Sequence, residues 1–203
     1  MQRHDVEQGT PEWYALRAGR PTASNFKSII TSQGKASTTL GTYAAQLAAE
    51  AFAGKPLEEW EGNQWTERGK DLEAQARDMY AFLREQVEPV GFVTNYDAGC
   101  SPDGFVGTDG LVEIKCLSPK HHVLALAYFE KHGRVPTDYV PQVMGQILIC
   151  ERHWCDVFFF HPELPPLIAR TERDPKFNAA LLAQIRDVCA ERDDLLGVLR
   201  RAA

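Results

Sequence analysis

Up to Gln86 the chain is patterned for helices, and at Val87 the period changes. "VEPVGFVTNY", "GCSPDGFVG" and "GLVEIKC" are short segments rich in β-branched and aromatic residues, separated by Gly, Asp and Asn. They predict an antiparallel meander. Ahead of it, "TPEWYALRAG" sets Thr10 as N-cap, Pro11 at the first helical position, Glu12 in the first turn and Gly19 as the stop. "TASNFKSII" predicts a second helix capped by Thr22 or Ser24, and "SQGKAS" a polar loop. "TTLGTYAAQLAAEAFAGKP" predicts a helix ended by Gly54, and residues 63–86 a long amphipathic one. Beyond the meander lie two helices, "PKHHVLALAYFEKHG" and "TDYVPQVMGQILICE", then the strands "HWCDVFFFHP" and "LIARTER", then a C-terminal helix from Asp174. Helices, strands, helices and strands in this order predict an α/β or α+β sheet flanked by helices. With no internal repeat and no linker-like stretch, residues 1–203 are expected to form one domain.

The composition narrows the function classes. No window approaches the roughly 18 apolar residues that cross a bilayer, and "MQRHDVEQGT" lacks the apolar run of a signal peptide, so no membrane partner and a cytoplasmic location are expected. The five cysteines are odd in number, dispersed and without a C-x-x-C, which predicts reduced thiols. His121 and His122 are adjacent and His153 lies two residues from Cys155, with no second ligand pair at zinc spacing. The net charge of −6 opposes a surface coated in phosphate-binding cations. It leaves room for an acidic metal site beside one basic groove.

The hairpin "CSPDGFVGTDGLVEIKC" concentrates three charges. Strand alternation puts Glu113 and Lys115 on one face, with Ile114 turned to the core. A three-residue "TDG" loop with Gly110 left-handed pairs Gly107 with Leu111, which sets Phe105 opposite Glu113 and Asp103 opposite Lys115. A two-residue loop would break that parity. Two carboxylates within a few ångströms repel unless a cation neutralises them, and oxygen ligands favour Mg²⁺ or Mn²⁺. Lys115 is then placed to orient or deprotonate a water beside the metal. The plain alternative is a cross-strand salt bridge between Asp103 and Lys115.

"SPDG" followed at ten residues by "EIK" resembles the PD-(D/E)-x-K nuclease signature, and the flanking blocks make the chain similar to the phage lambda-type 5′-to-3′ exonucleases of viral recombination systems. These blocks are "QGTPEWYALRAGRPTAS", "RGKDLEAQAR", "CSPDG", "LVEIKC" and "PQVMGQILI", spread over about residues 8 to 160. Arg68 stands where a Trp is associated with the Gly-Lys block, and the loop "TSQGKASTTLG" is short. The resemblance implies a restriction-endonuclease-like core with a central mixed β-sheet. It implies Glu73 as third metal carboxylate beside Asp103, Glu113 and the Ile114 carbonyl, where residue type alone suggests an i,i+4 pair with Arg77. It implies Gln142 beside the water and Lys115, with Gln146 one turn on.

The same resemblance gives Arg17, with Ser24 and Thr22, a grip on a 5′-phosphate, a task suited to a planar and always charged guanidinium. By type alone Arg17 is a solvated face residue. The implied activity is Mg²⁺-dependent exonuclease digestion of double-stranded DNA ends, Mn²⁺ substituting, by a homotrimer that hands a 3′ single strand to a single-strand annealing protein. An endonuclease, nickase or resolvase on the same fold and a non-catalytic DNA-binding subunit are the alternatives. The iron–sulfur relatives need a four-Cys set that Cys150, Cys155 and Cys189 do not form.

Overall fold

The computed structural model describes residues 1–57 and 64–203, and in the third helix the side chains from Leu72 onward. Asn63, the expected start of that helix, and the side chain of Arg68 lie outside the described residues. In chain order the elements are β1 (Gln2–His4), α1 (Pro11–Arg17), a 3-10 helix (Ala23–Ser28), α2 (Leu40–Ala53), α3 (Gln64–Leu83), β2 (Val87–Glu88), β3 (Phe92–Asn95), β4 (Ala98–Cys100), β5 (Gly104–Val106) and β6 (Gly110–Cys116). Then come α4 (Pro119–His132), a second 3-10 helix (Thr137–Tyr139), α5 (Val140–Ile149), β7 (Trp154–Phe160), β8 (Leu167–Glu172) and α6 (Pro175–Ala202). Thr10 caps α1 through a bond from the Trp13 amide, and Gly54 and Gly133 close α2 and α4 in the left-handed conformation.

The meander divides. β2, β5, β6, β7 and β8 form, in that order, a five-stranded mixed sheet, while β1, β3 and β4 form, in that order, a separate three-stranded sheet. The β3–β4 turn is made by Tyr96 and Asp97, both with positive φ, where the sequence pattern extends a strand through Tyr96. β6 and β7 run parallel, joined by the α4–α5 crossover, and the remaining pairs are antiparallel. The "TASNFKSII" segment is a 3-10 helix rather than an α-helix.

The hairpin register also differs from the expected one. Val106 pairs with Gly110 and Gly104 with Val112, so the loop is Gly107–Thr108–Asp109 and the positive φ belongs to Gly107. The shift is two residues. Strand periodicity is also two, so Asp103, Glu113 and Lys115 keep a common face, with Asp103 now level with Glu113 rather than Lys115.

Alternation divides β6 between two cores. Leu111 joins Phe105, Val157 and Phe159 in a large cluster with residues of α2, α5 and α6; Val112 and Ile114 join Phe158 and Phe160 against Ala76 and Tyr80 of α3. Tyr80 is anchored by its hydroxyl, which donates to buried Asp156 at 2.8 Å, and Asp156 also holds Arg170 at 2.7 Å. No helix among the described residues is long and apolar enough to cross a membrane.

α5 lies tight against the first 3-10 helix because residue 145 has no side chain. A Cβ on Gly145 would come within 2.3 Å of the Phe26 ring, which is fully buried and has no room to swing. Gly145→Ala is therefore expected to destabilise the fold by about 1–3 kcal/mol, read as a lowered denaturant midpoint at unchanged slope.

Candidate active site

β6 carries the centre of the site. Glu113 is 4% exposed, and both of its oxygens are engaged: Oε1 accepts from Lys115 Nζ at 2.7 Å and from Gln142 Nε2 at 2.7 Å, while Oε2 accepts from Gln146 Nε2 at 2.6 Å. Lys115 also donates to Gln142 Oε1 at 3.2 Å, and its ammonium stands 5.5 Å from the centre of the Tyr139 ring. Gln142 and Gln146 reach the same carboxylate because they are one helical turn apart on α5. Burial by itself lowers the Lys115 pKa, but the adjacent Glu113 carboxylate outweighs it and leaves the ammonium above its ordinary value. Lys115 is thus a fixed cation.

Asp103 enters from the start of β5, and its Oδ2 accepts the Ile114 amide hydrogen at 2.5 Å. Burial pushes its carboxyl well above the usual range, and the charges of Glu113 and Glu73 push it further. Lys115 is therefore paired with Glu113, and the Asp103–Lys115 salt bridge is not formed.

Glu73 is close enough for its charge to reach Asp103, yet its carboxylate is turned to Arg77 at 2.7 Å, the i,i+4 pair that residue type suggests. Among the described residues no three of His, Cys, Asp and Glu are grouped closely enough to hold a metal by themselves. The donor chemistry nevertheless fits a divalent cation. Glu113 is buried and Asp103 half-buried, the charges of Glu113 and Glu73 both reach Asp103, and the ammonium of Lys115 is bonded to Glu113 and Gln142.

A second cluster is built on α1. Arg17 Nη2 donates to Thr22 Oγ1 and to Ser24 Oγ, each at 3.3 Å, and its guanidinium stacks 4.2 Å from the Trp13 ring, four residues earlier on the helix. Burial lowers the Arg17 pKa, which stays far above neutrality as for any arginine. Thr22 occupies the N-cap position of the 3-10 helix but makes no side-chain cap, and Ser24 is the second helical residue rather than the cap. Both hydroxyls are thereby free to face Arg17. Gly19, with φ +70° and packed on Ala51, makes the turn between them, and its amide is held by buried Glu50 at 3.2 Å.

The segment of Arg17 and Thr22 is tied to the chain that leads into Asp103: the Gly99 amide donates to the Pro21 carbonyl at 3.0 Å, and Thr22 forms a β-bridge with Gly99. Trp13 Nε1 donates to Ser101 Oγ at 2.8 Å, and Ser101 lies two residues before Asp103. Sequence reasoning assigned no role to Trp13, Ser101 or Tyr139. The i,i+4 spacing of Trp13 and Arg17 was a usable signal; nothing local marks Ser101 or Tyr139.

Residues 12–153, which span every one of these groups, match the YqaJ-like viral recombinase domain. The chain belongs to the YqaJ-like viral recombinase family. It is similar to the alkaline exonuclease LHK-Exo of Laribacter hongkongensis, with 31% identity over 95% of this chain and 97% of that one and a TM-score of 0.81. The LHK-Exo complex with dAMP matches at 30% identity, the same coverage and a TM-score of 0.82. A phage-related exonuclease of Haemophilus somnus 129PT, 16% identical over 89% of this chain and 96% of that one, shares the fold at a TM-score of 0.70. No curated protein sequence matches. The five-stranded mixed sheet flanked by helices is the exonuclease fold, and family and fold together make this recombinase-family chain a nuclease.

Proposed function

We propose that the chain is a Mg²⁺-dependent deoxyribonuclease that degrades linear duplex DNA from 5′-phosphorylated ends in the 5′-to-3′ direction. The observation that carries this reading is the Trp13–Ser101 bond, which ties the helix of Arg17, with its partners Thr22 and Ser24, to the chain two residues before Asp103. A terminal phosphate held by Arg17 would leave the adjoining phosphodiester beside Asp103 and Glu113. An alkaline exonuclease relative that binds dAMP supports mononucleotide release.

Asp103, Glu113 and Glu73, with the Ile114 carbonyl, would hold Mg²⁺, for which Mn²⁺ should substitute. The ion supplies charge stabilisation and a more acidic water. Lys115 and Gln142 orient that water, and Lys115, being a cation already bonded to Glu113, acts by position and charge rather than as a base. Arg17, Thr22 and Ser24 bind the terminal phosphate through a forked cation and two hydroxyl donors. A homotrimer, a cytoplasmic site of action and transfer of the 3′ strand to a single-strand annealing protein complete the reading on the family resemblance.

The direct test offers linear duplex and covalently closed circles to the protein with and without EDTA. Linear DNA should disappear only with Mg²⁺ or Mn²⁺, with circles intact. Cutting of circles would establish an endonuclease or nickase instead.

A further inference from the structure

The two oxygens of Glu113 are held in unlike ways. Oε1 is shared by Lys115 and Gln142, both partly exposed and bonded to each other. Oε2 accepts from Gln146, a side chain 1% exposed and packed inside α5 against the sheet. Gln146 is itself oriented: its own Oε1 lies 3.9 Å from the Sγ of fully buried Cys155 on β7, so the carbonyl end meets the thiol and the NH₂ end is left for Glu113. Cys155 stands opposite Leu111 in the parallel ladder, two residues before Glu113 along the neighbouring strand. The amide is thus wedged between two adjacent strands of the sheet.

We propose that Gln146 is a positioning residue: by donating to Oε2 from the protein interior it fixes the rotation of the Glu113 carboxylate and leaves Oε1 as the oxygen presented to the cation. The inference rests on the proposed metal-dependent reading of this site. Its physical basis is that a buried carboxylate oxygen without a donor is costly, so on losing Gln146 the carboxylate turns to share Lys115 and Gln142 between both oxygens, and Oε1 is no longer held in one direction. Hydrogen-bond partners of metal-binding carboxylates typically govern affinity by 10–100-fold.

Mn²⁺ binding followed by calorimetry without DNA separates this role from catalysis and from mere packing. Gln146→Leu, which fills the space without a donor, is expected to weaken Mn²⁺ binding at least about tenfold. Gln146→Asn, which keeps the amide but withdraws it by one methylene, should do the same, and serves if the Leu variant fails to fold. Both should need correspondingly more Mg²⁺ for half-maximal DNA hydrolysis while KM for DNA at saturating Mg²⁺ stays near wild type. A variant that folds and binds Mn²⁺ within twofold of wild type would overturn the role of Gln146 and leave the nuclease reading standing. A wild-type protein that binds no Mn²⁺ would overturn both.

Discussion

Lys115→Ala is expected to lower the rate of hydrolysis of 5′-phosphorylated linear duplex by about 10²–10³-fold at saturating Mg²⁺, while the protein stays folded and still binds DNA. The loss corresponds to roughly 3–4 kcal/mol of transition-state stabilisation. It follows from where the ammonium is held. Glu113 at 2.7 Å, Gln142 at 3.2 Å and the Tyr139 ring leave Nζ little freedom, so whatever it donates to in the reacting complex is met in a fixed direction. The fold itself is buffered against the change, because Gln142 and Gln146 still satisfy the Glu113 carboxylate. Lys115→Arg should not rescue: a guanidinium is broader than an ammonium and cannot take its place between Glu113 and Gln142. Single-turnover digestion measures the effect, and a Lys115→Ala variant within tenfold of wild type would remove Lys115 from the mechanism.

The hairpin shows how far the sequence could be read and where it stopped. Glu113 and Lys115 were legible as one face of a strand because the period of two is local. The choice between Gly107 and Gly110 for the left-handed position was not local, since both flank the same turn, and the expected register was off by two residues; the common face survived because a slip of two preserves parity. The three-stranded sheet was illegible for another reason. Gln2–His4 has no apolar alternation, and its partner Phe92–Asn95 is far along the chain, beyond three α-helices and a 3-10 helix. The turn at Tyr96 and Asp97 has no glycine to announce it. Arg192, on the helix without a transferable motif, donates to the Gly19 carbonyl at 3.0 Å and to Asp97 at 2.8 Å, and so steadies the turn behind Arg17 from a distance no periodicity conveys. The arrangement of the three carboxylates proposed to hold a metal was not legible: Glu73 faces Arg77, the i,i+4 pairing that residue type suggests.

The second large effect separates recognition of the end from chemistry. Arg17→Ala should reduce hydrolysis of 5′-phosphorylated ends by about 10–100-fold, the equivalent of the roughly 1.5–3 kcal/mol carried by charge-assisted hydrogen bonds to a phosphate. Hydrolysis of 5′-hydroxyl ends, which offer nothing for the guanidinium to grip, should change by less than threefold. Arg17→Lys should fall between, because a lysine keeps the charge but gives up both the fork and the stack on Trp13. The turn that carries Arg17 is held independently of its side chain, through the Gly19 amide on Glu50 and the Gly19 carbonyl on Arg192, so the melting temperature should move little. Competition between phosphorylated and hydroxyl duplexes in one reaction gives the ratio directly. Equal loss on both ends would mean that Arg17 supports the site as a whole, and the reading of its cluster as a phosphate gauge would fall. A loss confined to phosphorylated ends would instead locate end selection on α1, which the Trp13–Ser101 bond ties to the chain two residues before Asp103.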